Sequence, residues 1–303
     1  MATMDKIKIA AVVLNYNGLA NSLACIDSLR RLEKDNFGIE IIVVDNASTD
    51  GSQEALSNLK DIYLVTIQEN SGYTGGNNMG VKVALKREAQ YVLILNNDTI
   101  VHQNLILELM GAIGEGDIIS PKIYFAKGYE FHKNRYQKKD LGKVIWAAGA
   151  TVDWQNIIGK HIGVDEVDRG QFDMRKQIDF ATGACMFVTK SVFARIGFFD
   201  EKYFLYLEDM DFCFRAKKAR LKILYEPKAI IWHKNAGSVG GSGSKLQDYY
   251  ITRNRLLFST KYAKLRTKFA LFRQIISQSR SSVKRKALID FLTLNFGKCK
   301  SQL

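Results

Sequence analysis

Apolar residues run along this chain in short blocks, and the early blocks each end in a polar cluster. Ile7 to Leu14 gives way to Asn15-Tyr16-Asn17-Gly18, Glu40 to Val44 to Asp45-Asn46-Ala47-Ser48, and Tyr91 to Leu95 to Asn96-Asn97-Asp98. Blocks this short cross a sheet and are too brief for a buried helix. The Tyr91 block has no polar interruption, which predicts a strand covered on both faces. Ile62 to Ile67 is a further strand. Between the strands the apolar positions recur at helical spacing, as at Leu19, Leu23, Ile26, Leu29 and Leu32. Asp50 is placed to cap a short helix reaching Leu59, and helices are also expected ahead of Arg87 and over Leu105 to Ile113. Alternating strands and helices predict an α/β fold: a Rossmann-like, doubly wound, mostly parallel sheet with helices on both faces. Such sheets bind ligands beyond the carboxyl ends of their strands, so the polar clusters mark a ligand edge.

The pattern blurs from Pro121 to about Lys176, where Trp146 to Trp154 reads as a short hairpin. It returns as a strand over Ile178 to Thr189, with small residues at its middle that allow close approach of a substrate. A helix opened by Glu208, Asp209 and Asp211 is expected to reach Ala219. Strands over Lys222 to Tyr225 and Ile230 to Trp232 follow, the second ending on His233. Gly237 to Ser244 alternates glycine and serine, which packs into no element and reads as a closing lid. Beyond it Tyr262, Leu265, Phe269, Phe272 and Ile276 recur at three- and four-residue steps among lysines and arginines, as in a basic amphipathic helix. The expected organisation is therefore two sheet-bearing parts, 1–120 and 121–244, and a basic helical tail, 245–303.

Charge sharpens that division. Of the chain's formal net +13, the tail carries 14 lysines and arginines against two acids, a net of +12. A module so cationic seeks an anionic surface, and its aromatic residues fall on one helical stripe, which favours a membrane over nucleic acid. The cysteines Cys25, Cys185, Cys213 and Cys299 are far apart and read as free thiols in a reducing compartment. No run approaches the roughly 20 apolar residues of a membrane span, and no signal-peptide core opens the chain. The expected location is the cytoplasm, on the inner face of the membrane.

Several positions carry chemistry. Asp98, with Asn96 and Asn97 beside it, is hard-ligand chemistry suited to Mg2+ or Mn2+ and a phosphate partner; its plainer role is a helix N-cap. Gly72 to Gly80, which includes Gly76 and Asn77, offers glycine amides to a phosphate, or is a flexible loop. Thr182 and Gly183 are the small residues of the late strand. Glu208, Asp209 and Asp211 suit the macrodipole of a first helical turn, yet sit among Phe, Leu, Met and Cys, where a carboxylate becomes a candidate base. His233, after an apolar strand, is a metal-type ligand or a satisfied core histidine.

Val12 to Gly18, Ile42 to Gly51, Gly72 to Gly80, Leu93 to Thr99, Thr182 to Met186, Gly197 to Arg215, Ile231 to His233 and Tyr249 to Arg255, in this order, resemble the family 2 glycosyltransferases of the GT-A fold, closest to their bacterial rhamnosyltransferase-like branch. The resemblance implies inverting transfer of a sugar from a nucleotide diphosphate donor, dTDP-rhamnose first among them, to a hydroxyl of a cell-surface glycan or lipid-linked saccharide. By it Asp45, Tyr16 and Asn17 serve the nucleotide, and Asn96-Asn97-Asp98 stands for the family's Asp-x-Asp with Asn96 replacing the first acid. Asp98 and His233 then hold Mg2+ or Mn2+, Asp209 beside Glu208 is the base, and Arg253 and Arg255 lie near the diphosphate. A sugar nucleotidyltransferase would need a basic loop after the first strand, and Asn15-Tyr16-Asn17-Gly18 has no lysine or arginine. A decayed membrane adaptor would not keep Asp98, Asp209 and His233 together. Oligomeric state is not legible.

Overall fold

The β-branched and aliphatic blocks do form strands, and their pairing explains why the polar clusters share one edge. The computed structural model describes residues 6–33, 35–132, 134–235 and 243–300. Strands β1 (Ile7–Asn15), β2 (Phe37–Asp45), β3 (Ile62–Thr66) and β4 (Tyr91–Asn96) are mutually parallel, with β1 between β2 and β4. Beyond β4 come β11 (Cys185–Thr189), antiparallel to it, then β6 (Ile118–Phe125), β12 (Ile223–His233) and the two-residue β10 (Lys176–Gln177). Because β6 is antiparallel to β11 and parallel to β12, the carboxyl end of β12 and the amino end of β11 arrive on the same edge as the carboxyl ends of β1, β2 and β4. Two short strands extend this sheet: β5 (Thr99–Val101) pairs with the end of β12, placing Thr99 opposite His233, and β7 (Ile145–Ala147) pairs with β6.

Helices cover both faces, as the double winding requires. Helix α1 (Leu19–Arg30), the short α2 (Ser52–Ser57) and α4 (Leu105–Met110) close one core with Val13, Leu93, Leu95 and Phe187. Helices α3 (Gly72–Lys86), α5 (Lys190–Ile196) and α6 (Glu208–Lys218) close the other with Val12, Val44, Ile94 and Met186. Asp50 caps α2 from just outside it, accepting from the Ser52 amide at 3.1 Å.

Four expectations change. Residues 72–80 are neither a loop nor a phosphate cradle but the first turns of α3. A Cβ on Gly76 would lie 2.3 Å from Leu14 Cδ1, and one on Gly80 2.4 Å from Val12 Cγ1, so these glycines let α3 lie close on β1. Strand β6 crosses residue 120, so one sheet runs through both expected halves. It escaped the sequence pattern because it contains Pro121; that proline stands opposite Glu226, beside the bulge in β12 where the ladder breaks. The hairpin pairs β8 (Ala150–Asp153) with β9 (Ile158–His161), downstream of where the tryptophans suggested. The late strand is only the second half of Ile178 to Thr189.

The tail is three helices: α7 (Lys245–Tyr262), α8 (Leu265–Ser277) and α9 (Ser282–Leu292). The expected continuous stripe breaks at Ala263, and α8 packs inward through Leu271 and Ile275 instead. That leaves Leu265 and Phe269 about 70% exposed. Among the described residues no helix is long and apolar enough to cross a membrane, and Cys25, Cys185 and Cys213 are buried thiols in no disulfide. The glycine-serine lid falls largely on 236–242, outside the described residues.

Candidate active site

Along the edge so built runs a cleft of about 820 Å³. The ends of strands β1, β2 and β4 bring Tyr16, Asn46, Asn96, Asn97 and Asp98 to its lining, β12 brings His233, and the approach to β11 and the start of α6 bring Thr182, Gly183, Glu208 and Asp209. The strand-end residues are braced from behind. Asp45 is buried, accepting from Asn15 Nδ2 at 2.8 Å and from the Ser48 amide at 3.0 Å. Asn97 Nδ2 donates to Ser22 Oγ at 2.9 Å, and Asn17 Oδ1 accepts from the Thr49 amide at 2.7 Å. Asn17 thus ties two strand-end loops together and stands outside the cleft lining.

Asp98 leaves β4 just before Thr99 pairs with His233, and this register brings His233 Nε2 to 3.0 Å from Asp98 Oδ1. Both side chains are nearly buried, and His233 Nδ1 has no hydrogen-bond partner among the described residues. One carboxylate, one imidazole and the neighbouring Asn96 amide make an oxygen-rich donor set that fits Mg2+ or Mn2+. Among the described residues no third His, Cys, Asp or Glu completes a cluster. A hard cation held this way keeps positions for water and phosphate oxygens, its usual habit at nucleotide sites.

Helix α6 begins after an unusual turn. Phe204, Tyr206 and Leu207 all have positive φ, the left-handed region that such bulky residues rarely adopt. The turn is held from α7. Asn254 Nδ2 lies within 2.9 Å of the carbonyls of Tyr203, Leu205 and Tyr206. Arg253, fully buried, donates to the carbonyls of Lys202, Tyr203 and Gly297. Arg253 is therefore a brace and not a diphosphate ligand: its donors are spent on backbone. Arg255 is also removed from that role, since it reaches Asn156 O at 2.8 Å on the surface. Gly76 and Asn77 leave the nucleotide set for the packing reason already given; Asn77 is buried and donates to Tyr73 O.

The turn delivers Glu208 and Asp209 to the cleft in a specific state. Asp209 Oδ2 accepts from the Gly183 amide at 3.0 Å and Oδ1 from the Met210 amide at 2.8 Å. Burial raises its carboxyl above the ordinary range despite these bonds. Glu208 is raised well above its usual value, by burial first and then by the charge of Asp209. Its Oε2 has no hydrogen-bond partner among the described residues. Gly183 is required where it stands, because a Cβ there would meet the Tyr73 hydroxyl at 2.7 Å.

Three functional neighbours escaped the sequence reading. Trp146 and His161 line the cleft, their rings 4.2 Å apart, and Trp146 also meets the His233 ring edge-on at 4.6 Å. Burial, and then His233, pull the His161 imidazole down to about 4, so it is neutral at physiological pH. Asn254 is the third. Its sequence signal is the run of four polar residues, Thr252-Arg253-Asn254-Arg255, between the apolar Tyr249-Tyr250-Ile251 and Leu256-Leu257-Phe258 of α7.

Comparison with known proteins bears on the whole arrangement. Residues 10–197 match the family model described as Glycosyl transferase family 2. The low-salt glycan biosynthesis hexosyltransferase Agl10 of Haloferax volcanii is 30% identical over 223 residues, covering 73% of this chain and 67% of that protein. The poly-beta-1,6-N-acetyl-D-glucosamine synthase of Staphylococcus aureus (strain COL) is 24% identical over 276 residues, covering 86% of this chain and 61% of its own length. The chain thus spans about two thirds of the first relative and somewhat less of the second. The crystal structure of GalNAc-T7 with UDP, GalNAc and Mn2+ shares the fold with a TM-score of 0.59 at 13% identity, over 84% of this chain and 51% of that one.

Proposed function

This chain belongs to glycosyl transferase family 2 and has the GT-A fold, and from that premise we propose that it is an inverting, metal-assisted transferase. It moves a sugar from a nucleotide diphosphate donor to a hydroxyl of a surface glycan or lipid-linked saccharide. The observation that supports this reading most is that Asp98, His233, Glu208 and Asp209 all line a single cleft. Inversion needs a base behind the acceptor hydroxyl and charge neutralisation at the leaving group.

Asp209 is the base. Its burial makes it more basic than a solvated aspartate, and the Gly183 and Met210 amides fix its direction. Glu208, held neutral beside it, has an O–H to offer a substrate oxygen. Tyr16 and Asn46 line the nucleotide end of the cleft, with Asp45 bracing that wall from behind. Asp98 and His233 would hold Mg2+ or Mn2+, which when bound neutralises charge on the departing diphosphate. Trp146, packed on His233, and His161, packed on Trp146, close the pocket around the transferred sugar. The donor we place first is dTDP-rhamnose, on resemblance alone.

Thermal-shift titration across nucleotide diphosphates and their sugars, with and without Mn2+, tests the donor side. One nucleotide should stabilise the protein more with Mn2+ than without it, and Asp98→Ala should abolish the metal increment. An unchanged increment in that variant removes Asp98 from the site. A transfer assay on the stabilising donor then tests the reaction.

The acceptor side involves the tail. Leu265, Phe269 and Ile276 on α8, and Ile289 and Leu292 on α9, are exposed within the net +12 segment. Apolar groups ringed by cations suit the surface of an acidic bilayer, where lipid-linked acceptors reside. Flotation with acidic liposomes should carry the protein, and Leu265→Glu with Phe269→Glu should abolish it. Equal flotation with neutral lipid would show that charge plays no part.

A further inference from the structure

On β12 the side chains alternate, so His233 faces the cleft while its neighbour Trp232 faces away from it. The pairing of β12 with β5 and β6 sets Trp232 opposite both Ile100 and Tyr124, and Ile230 opposite Lys122, so these side chains form one surface. Over that surface lies an open groove of about 1030 Å³ that shares no lining residue with the cleft. The catalytic reading uses none of its residues.

The groove has a built floor and a charged rim. Trp232, Tyr124 and His102 present tilted rings, with Trp232 centred 6.4 Å from Tyr124 and 6.1 Å from His102. The tryptophan is fixed in place by its Nε1, which donates to Gly142 O at 2.9 Å. Beside the rings Lys122, 3% exposed, meets Asp168 at 2.7 Å and Asp173 at 2.5 Å, and the Tyr124 hydroxyl donates to Asp168. That network is internally satisfied, so it stiffens the floor and offers acceptor oxygens at its edge. The rim adds Lys127, Lys143 and Lys228, all exposed and without an ion pair among the described residues, and Arg169, whose nearest carboxylate is 3.8 Å away. Five cations against two carboxylates leave the lining at a net of +3.

Flat rings suit the apolar faces of sugar rings, paired acids suit hydroxyls, and an unneutralised basic rim suits carboxylate or phosphate substituents. We propose that this groove is a second saccharide site, which binds an anionic glycan segment independently of the cleft. Aliphatic ligands would gain nothing from the acids, and a bare phosphate would gain nothing from the rings. The proposal goes beyond the transferase reading, because it concerns binding that needs neither donor nor turnover.

Calorimetric titration of the full chain with an oligogalacturonate, a phosphorylated maltooligosaccharide, a neutral maltooligosaccharide and inorganic phosphate tests it. One of the two anionic oligomers should bind best, and which one it is identifies the source of the charge. The triple variant Lys127→Glu, Lys143→Glu, Lys228→Glu, confined to exposed side chains, should weaken that oligomer at least about tenfold and remove its salt dependence. Trp232→Ala should weaken the charged and neutral oligomers alike, whereas Asp98→Ala should leave both unchanged. Binding of phosphate alone, binding indifferent to the triple variant, or binding lost in Asp98→Ala each overturns the proposal. Because no arm measures transfer, a failure here is distinct from a failure of the catalytic assignment.

Discussion

The first turn of α6 holds two kinds of buried carboxylate within four residues. Asp211 is fully buried and fully answered: Arg215 at 2.8 Å, Lys261 at 2.8 Å, and the hydroxyls of Tyr262 at 2.9 Å and Tyr203 at 3.2 Å. Glu208 is also buried and Asp209 half-buried, yet neither has an ion pair among the described residues, and one oxygen of Glu208 has no partner among them. Burial with compensation is structure. Burial without it costs stability and is kept where chemistry needs a displaced pKa. The same short run of acids thus contains a keystone and a catalyst, and neighbouring charge decides which is which.

The largest effect that sharpens this contrast lies at Asp209. Asp209→Asn should cut transfer by about 10²–10⁴-fold, the usual worth of a general base, while leaving donor binding and Tm intact. Turnover beside donor calorimetry reads both. The pH profile carries the sign. The base works deprotonated, and burial raises its carboxyl above the ordinary 3.8, so transfer should fall with falling pH at a higher pH than a solvated aspartate would give. Full turnover in the asparagine variant would make the two carboxylate classes functionally alike.

Asp211 should show the reverse. Removing it takes one partner each from Lys261 and Arg215, which keep Asp200 and the carbonyls of Ile196 and Phe198, and strands the buried Tyr203 hydroxyl, a loss of about 1–3 kcal/mol. Asp211→Ala should therefore lower the urea midpoint, while the protein that remains folded keeps its activity per molecule. A loss of activity with no loss of stability would move Asp211 into the catalytic group.

That division was only half legible in the sequence. The strands and their polar ends were legible because buried parallel strands are apolar throughout and stop abruptly, and this placed Asp98 and Tyr16 on one edge, whereas Thr182, read as mid-strand, lies ahead of β11. The acids of α6 were visible as a run, and Arg215 four residues on singles out Asp211 locally, but its other partners, Lys261 and Tyr262, lie about fifty positions away. Arg253 and Asn254 resemble ligand-binding groups by type, yet they brace the strained turn at Phe204 to Leu207, and no local pattern reveals a contact across that separation. Strand β6 was hidden by Pro121, which is tolerated only because the ladder is interrupted opposite it. Short-range periodicity was readable; long-range partnership was not.

The smallest effect tests the cost directly, at Glu208. A carboxyl whose folded pKa is raised binds its proton more tightly in the folded state than in the unfolded one. Its penalty is absent below the ordinary value of 4.5 and grows as pH rises above it. Glu208→Gln removes the ionisation and keeps the shape. The variant should gain about 0.5–2 kcal/mol at neutral pH, the common yield of relieving a functional site, with transfer reduced. Thermal melts at pH 4 and pH 7 separate this from a packing effect, which would persist at both. The gain should vanish at the lower pH, where wild type and variant are alike uncharged at this position. Equal gains at both would mean that Glu208 carries no electrostatic cost, and that its contrast with Asp211 is one of position alone.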